Sequence, residues 1–199
     1  WNWKAGGSAS SNSDGGITSS VSANTTAGFS IVSYTGTGSA ATVGHGLGVK
    51  PKVMIVKNRD ATENWMTYHE EIDATAPEDY YILINLTNAR VDESTVWNDT
   101  APAASVFTVG THDASNKSSD KYIAYCFAEK KGYSKFGSYT GNGSSSDGTF
   151  VHTGFRPAWV LIKRKNASGH DWVLIDSKRL GYNADNNTLL PNSTAVEAT

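Results

Sequence analysis

The residues best able to do chemistry form one short acidic stretch, His69-Glu70-Glu71-Ile72-Asp73. An imidazole and three carboxylates in so short a span could hold a cation or act in acid–base catalysis. The later part of the chain that aligns with this stretch reads Asp176-Ser177-Lys178-Arg179, in which the carboxylate cluster is gone. We therefore predict a solvated turn here, with a metal or catalytic site as the alternative. We assign no catalytic, cofactor-binding or metal-ligating residue.

Two histidines and three tryptophans are the other candidates. His45 and His152 each stand close to glycines, and we predict that they form turn hydrogen bonds rather than bind a ligand. Trp65 and Trp172 adjoin apolar runs and are expected in the core rather than on a carbohydrate platform. Trp97 is followed by Asn98-Asp99-Thr100, which makes it the one candidate for an exposed, ligand-binding aromatic residue, although a core or interface position is favoured over that role.

Composition restricts the classes of function. Charged residues make up 18% of the 199 residues, and the formal net charge is -2, so the chain lacks the basic surface that nucleic acids require. No apolar stretch approaches the roughly 20 residues of a membrane-spanning helix. Phosphate-binding loops, dinucleotide fingerprints, zinc-protease helices and nucleophile elbows are all missing from the sequence. We expect no cofactor and no enzymatic activity.

The elements that must position these residues are strands. Apolar runs of four to six residues, rich in β-branched and aromatic side chains, are separated by Gly, Asn and Asp turns. The single Cys126 lies in one such run and is expected in the core. The sequence predicts an all-β fold with strands at Val53 to Val56, Tyr80 to Ile84, Val106 to Val109, Tyr122 to Phe127, Trp159 to Ile162 and Trp172 to Ile175.

Internal repetition is the strongest signal in the sequence. Ser33-Tyr34-Thr35-Gly36-Thr37-Gly38 returns about 105 residues later as Ser138-Tyr139-Thr140-Gly141-Asn142-Gly143. The block from Gly48 to Lys57 likewise aligns with Gly154 to Lys163. We therefore predict tandem β-sandwich or jelly-roll-like units of about 105 residues, of which the second copy is incomplete.

The repeat implies four segments. Residues 1–4 contain Trp1-Asn2-Trp3, whose pattern matches Tyr125-Cys126-Phe127, and are interpreted as the last strand of a preceding repeat. Residues 5–27 are rich in Gly, Ser, Asn and Thr and are predicted to be a linker or arm. Residues 28–131 form the complete β unit, and residues 132–199 form the first part of the next repeat, whose open edge would need a partner strand.

Several motifs together resemble a known family. They are Gly28-Phe29-Ser30-Ile31-Val32, Gly44-His45-Gly46-Leu47, Tyr122 to Glu129, Gly132 to Gly143, and Gly154-Phe155-Arg156-Pro157. This combination resembles a repeated domain of unknown function found in tail and fibre proteins of bacteriophages, especially marine ones. The resemblance implies a virion structural protein in a tail fibre, spike or other appendage, outside the cell, and carries over no catalytic residues.

Two functions follow as expectations. In the first, the chain acts by assembly and by presentation toward the host surface, and its partners are other copies of the chain and neighbouring virion proteins. In the alternative, the units are adhesin modules that bind a carbohydrate or receptor, such as a host surface glycan. Neither expectation includes nucleic acid or insertion into a membrane. The two differ in whether aromatic residues are exposed for binding or buried in contacts.

Overall fold

The computed structural model describes residues 2–178 and 187–197. Twelve strands, two four-residue α-helices and one 3₁₀ helix (Pro77–Asp79) occur in the described part, and the strands and α-helices are numbered here in chain order. The strands are β1 (Ser10–Asn12), β2 (Ser19–Asn24), β3 (Phe29–Thr35), β4 (Ala41–Gly44), β5 (Val53–Asn58), β6 (Met66–His69), β7 (Tyr80–Leu83), β8 (Val91–Asp92), β9 (Val106–Val109), β10 (Lys121–Phe127), β11 (Trp159–Ile162) and β12 (Val173–Asp176). The helices are α1 (Ser94–Trp97) and α2 (Asp113–Asn116).

One antiparallel sheet dominates the protein. Its eight strands lie in the order β1-β2-β3-β10-β5-β6-β7-β8. β10 therefore occupies the centre, although it is the last of these strands in the sequence. Tyr125 faces Ile31 on β3 and Ile55 on β5, which fixes the register on both sides. The all-β prediction is confirmed, since nearly all regular structure lies in antiparallel strands.

The core lies on one face of this sheet. In β10 the side chains of Tyr122, Ala124 and Cys126 are fully buried, whereas the alternating residues are half-buried on the opposite face. The small antiparallel sheet β4–β9 and helix α1 cover the buried face and contribute to one continuous apolar cluster. Side chains of the two layers pack against each other. Burying each large apolar side chain in this way stabilises the folded state by about 1.5–3 kcal/mol.

The two helices are single turns held by caps. The carboxylate of Glu93 accepts the backbone N–H of Thr95 at the start of α1, and the imidazole of His112 accepts that of Ala114 at the start of α2. Among the described residues, no helix has the length and the apolar character needed to cross a membrane.

The β11–β12 hairpin has the same register as the β5–β6 hairpin when the two repeat blocks are aligned. Met54 faces Tyr68 in the first hairpin, and their aligned residues Val160 and Ile175 face each other in the second. The hydrogen bonds that follow each hairpin also correspond: backbone N–H groups of Trp65 and Trp172 donate to Asn85 and Asn192 at 3.1 and 2.8 Å. Those asparagines in turn donate to Asn64 and Asp171.

Residues 5–27 are not a linker, so that prediction is wrong. They contain β1 and β2, and β2 pairs with β3 from Ser20 to Asn24. Main-chain ladder bonds hold these polar strands, and Ser22 Oγ donates to the Gly7 carbonyl at 2.7 Å. Residues 2–4 form no strand; the Trp3 ring packs instead against Phe29, Phe127 and Trp159. Trp1 lies outside the described residues.

The prediction that the second segment repeats the fold of the first fails for residues 132–157. These residues contain no strand in the structure, although they align with β3 and β4. β3 lies between β2 and β10, and β4 pairs with β9. The described part of the second segment offers no strand equivalent to β9 or β10, so this backbone has no ladder to join. The structure therefore contains one layered β unit and a second hairpin.

Candidate functional site

Two of the three carboxylates of the acidic stretch, those of Glu70 and Asp73, are paired with cationic side chains of the protein itself. Glu70 pairs with Lys50 at 3.1 Å and with Lys52. Asp73 pairs with Arg90 at 2.6 Å, and backbone and side-chain hydrogen bonds from Thr75, with Ala76 and Arg90, hold the pKa of Asp73 well below its usual range. The stretch is thus a turn held to its surroundings by ion pairs, and in the described part of the chain no group of three or more His, Cys, Asp or Glu side chains could hold a metal ion.

His69 is the residue of this stretch with an unusual environment. It lies at the end of β6, and its Nδ1 accepts the backbone N–H of Glu71 at 3.0 Å. Burial lowers the pKa of His69 to about 4; the Glu71 carboxylate opposes this effect, while the Lys165 ammonium adds to it. The imidazole is therefore neutral at physiological pH and serves as a hydrogen-bond acceptor.

The environment of His69 predicts acid-sensitive stability. The unfolded chain takes up a proton at His69 as the pH falls through about 6.5, whereas the folded chain resists until about pH 4. The contribution of His69 is therefore fully present above pH 6.5 and is lost as the pH falls. We expect the free energy of unfolding to drop by about 2–3 kcal/mol between pH 7 and pH 4 from this residue. Urea denaturation at a series of pH values measures it.

Two variants isolate that effect. His69→Asn keeps an acceptor near the Glu71 N–H and does not titrate, so its unfolding free energy should depend less on pH by that amount. His152→Asn removes an exposed histidine and should leave the pH profile of the parent unchanged. Equal pH dependence in the parent and in His69→Asn would refute the assignment.

His45 forms the turn hydrogen bond that the sequence predicts. Its Nδ1 accepts the backbone N–H of Leu47 at 3.2 Å, and its Nε2 lies 3.2 Å from the Ala103 carbonyl. Because a carbonyl can only accept, Nε2 carries the proton. Gly46 has a φ of 68°, which favours glycine, whereas a Cβ at Gly44 would displace the side-chain amide of Asn12. Burial lowers the pKa of His45, which suits a structural histidine.

Trp97 is buried, so the structure places it in the core, as favoured, and not at an exposed, ligand-binding position. Its exposed fraction is 1%, and it lies in α1 against the core. The indole N–H donates to the Tyr80 carbonyl at 3.1 Å, and the ring meets Tyr68 edge-on at 6.3 Å. The polar residues after Trp97 form the left-handed end of a one-turn helix, with Asn98 at φ 55°. They mark a helix end rather than a loop that presents an aromatic ring.

A buried polar network centred on Asn58 was not predicted. Asn58 Oδ1 accepts the backbone N–H groups of Asp60 and Ala61 at 2.8 and 3.0 Å. Its amide nitrogen lies 2.8 Å from an Asp120 carboxylate oxygen and 3.1 Å from the Tyr122 hydroxyl. The sequence offered one signal, an Asn at the end of an apolar strand with an Asp two residues later, which is typical of a side-chain-stabilised turn.

The most extensive contact outside the main core joins the second hairpin to the first unit. Trp172 and Leu161 pack with Ile72 and Ile82, and the Trp172 indole N–H donates to the Leu83 carbonyl at 2.9 Å. We call the contact formed by these five residues the hairpin contact. Main-chain groups strengthen it through the bonds Arg90 N to Lys165 O, Gly169 N to Thr87 O, and Lys165 Nζ to Glu71 O. Trp172 is therefore in an apolar cluster, as predicted, but in a contact between two segments.

The segment between the main sheet and the second hairpin exposes aromatic residues. Tyr133, Tyr139 and Phe150 are 57%, 52% and 87% exposed. They lie in a stretch that is rich in Gly and Ser and has no strand or helix. Exposed apolar residues indicate a binding surface when they are contiguous, whereas single exposed residues are ordinary.

The fold and the hairpin contact define an all-β protein in which an antiparallel unit carries a second hairpin docked on its surface. The chain belongs to a family described as a domain of unknown function, DUF7483, whose model matches residues 1–199. No curated protein matches the chain significantly. No solved structure matches it significantly either.

Proposed function

We propose that this chain is a structural module of a bacteriophage virion, in a tail fibre, spike or other appendage, which acts by assembly and by presentation toward the host surface. The hairpin contact carries the proposal, since one segment docks on another through a buried tryptophan and main-chain hydrogen bonds. Contacts of this kind, repeated along a chain of similar units, are how extended proteins are built.

The use of the polar residues supports a structural role. The groups that could do chemistry serve the fold instead: Glu70 pairs with two lysines, and His45 and Asn58 hold turns. The motifs of residues 28–32 and 132–143 supply the link to phage tail and fibre proteins. Partners in this proposal are other copies of the chain and neighbouring virion proteins, and the module has no enzymatic activity.

A carbohydrate- or receptor-binding adhesin is the second candidate function. It is favoured by the exposed rings of Tyr133, Tyr139 and Phe150. Aromatic rings offer a flat apolar face to a sugar or to a surface polymer. A glycan panel separates the two candidates: specific binding that is lost in Tyr133→Ala and Tyr139→Ala supports the adhesin, and no binding by the parent chain counts against it.

Immunogold electron microscopy tests the proposed function. Affinity-purified antibodies against the chain are applied to phage particles prepared from the source of the sequence. Label on a tail appendage is the expected result, and antibodies depleted with the purified chain serve as the control. Particles without label, from a lysate in which the same antibodies detect the protein, would contradict a virion role.

A further inference from the structure

The second segment exposes residues whose aligned counterparts are buried in the first unit. Tyr34 is 4% exposed and donates its hydroxyl to the Ser115 carbonyl, whereas the aligned Tyr139 is 52% exposed. Val43 is fully buried in β4, whereas Phe150, which aligns with it when His45 is matched to His152, is 87% exposed. The same residue pattern is therefore buried under other parts of the protein in the first unit and exposed in the second segment.

The second hairpin shows the same difference on one face. In the first hairpin, Met54, Val56, Met66 and Tyr68 point into the main core and are buried. Their aligned residues Val160, Ile162, Val173 and Ile175 share one face of β11–β12, opposite the side that carries Leu161 and Trp172. All four are only half-buried, and we call them the open face.

The first unit shows what covers a face of this kind. β10 adds to the free edge of β5 from Val53 to Asn58, and it places Ala124 and Cys126 on the core side. β9 and Trp97 of α1 belong to the same core cluster. All of these elements lie between residues 87 and 131. In the described part of the chain, β11 pairs with β12 alone, so the corresponding edge is unpaired.

We propose that the open face and the unpaired edge of β11 form a docking surface for a segment with the sequence pattern of residues 87–131. The docked segment adds a strand antiparallel to β11, with small residues facing inward as Ala124 and Cys126 do, and lays an aromatic layer over Val160 and Ile162. A further unit of the same kind carries such a segment. This inference deepens the proposed assembly role, on which it rests, by naming the partner and the surface.

A grafted chain tests the proposal. Ser193 N donates to Leu190 O as Leu86 N donates to Leu83 O, so a second copy of residues 87–131 is inserted after Ser193. We expect amide hydrogen exchange at Trp159 to Ile162 to slow by about a hundredfold or more, because the edge becomes a paired central strand. Binding of a hydrophobic dye should fall in parallel. The matched control carries A124D and C126D in the grafted copy only, and its exchange should stay at the parent rate.

Two further experiments test the proposal if the grafted chain folds poorly. Ile162→Asp in the parent chain should leave the urea midpoint unchanged, because an open face tolerates a charge; a clear loss would show that the face is already covered within the chain. Concentration-dependent dimerisation of the parent, with protection of the same amides, would overturn the proposal: residues 87–131 of a second copy are already engaged in its own first unit, so another surface would be the occupant. Unchanged exchange in a grafted chain whose first unit keeps its protection would overturn it too. None of these outcomes depends on the virion assignment, which the immunogold experiment tests separately.

Discussion

Replacing Trp97 by alanine is expected to remove most of the stability of the protein. The side chain is 1% exposed and packs edge-on against Tyr68, so its loss leaves a large cavity in the main core. Such truncations cost about 3–5 kcal/mol. Domains of this size are stable by about 5–15 kcal/mol, so the variant should unfold at a much lower urea concentration or fail to accumulate. Urea denaturation followed by circular dichroism measures the change.

Two further variants distinguish the loss of core packing at Trp97 from the loss of its hydrogen bond and from the removal of an exposed ring. Trp97→Phe keeps an aromatic ring but removes the N–H that donates to the Tyr80 carbonyl, and an unpaired buried acceptor costs about 1–3 kcal/mol. Phe150→Ala removes a ring that is 87% exposed and should change the unfolding free energy by less than about 0.5 kcal/mol. If Trp97→Ala is as stable as Phe150→Ala, Trp97 is not a core residue.

Replacing Asn58 by alanine should have the second-largest effect. The change removes the acceptor of two backbone N–H groups, those of the exposed Asp60 and the half-buried Ala61. It also removes the donor that faces Asp120 and Tyr122. Each lost hydrogen bond costs about 0.5–1.5 kcal/mol, and more where the partner is charged, so we expect a total loss of about 3 kcal/mol. The midpoint of urea denaturation is again the measurement.

The charge at this position provides a sharper comparison. Asn58→Asp has nearly the same shape but places a second carboxylate beside Asp120. It should be less stable than Asn58→Ala at pH 7 and should recover part of the loss as the pH falls and a carboxyl becomes protonated. Asn142→Ala, at an exposed position, is the control and should resemble the parent. An unchanged midpoint in Asn58→Ala would show that water replaces the network at no cost.

The strands of the apolar runs could be predicted because their side chains carry the signal. Val106 to Val109 and Trp159 to Ile162 match β9 and β11 residue for residue, and Tyr122 to Phe127 lies within β10. β2 gave no such signal, since Ser19–Asn24 is polar in composition. Its position is fixed by main-chain pairing with β3, which composition does not encode, and by Val21 as its main buried apolar side chain.

The candidate site was less predictable because the position of each of its residues depends on which distant segments of the chain pack together. Trp97 and Trp172 are both tryptophans beside polar residues, and the sequence could not tell which would be buried in the main core and which in the hairpin contact. Repetition predicted that residues 132–157 would fold as residues 28–51 do. A strand forms only where a partner strand is present, however, and the repeat pattern describes one member of each pair.

The central position of β10 has a consequence for synthesis on the ribosome. The chain emerges from its N-terminus, so β1 to β3 and β5 to β8 are available before Lys121 leaves the exit tunnel. Until then, β3 and β5 each have an unsatisfied edge at the place where β10 will insert. Insertion of β10 closes the sheet by joining segments that are far apart in the sequence, and contacts of that kind form slowly. A nascent chain that pauses before residue 121 therefore presents two adhesive edges to its neighbours on the same polysome, and folding is complete only after the last strand has entered the middle of the sheet.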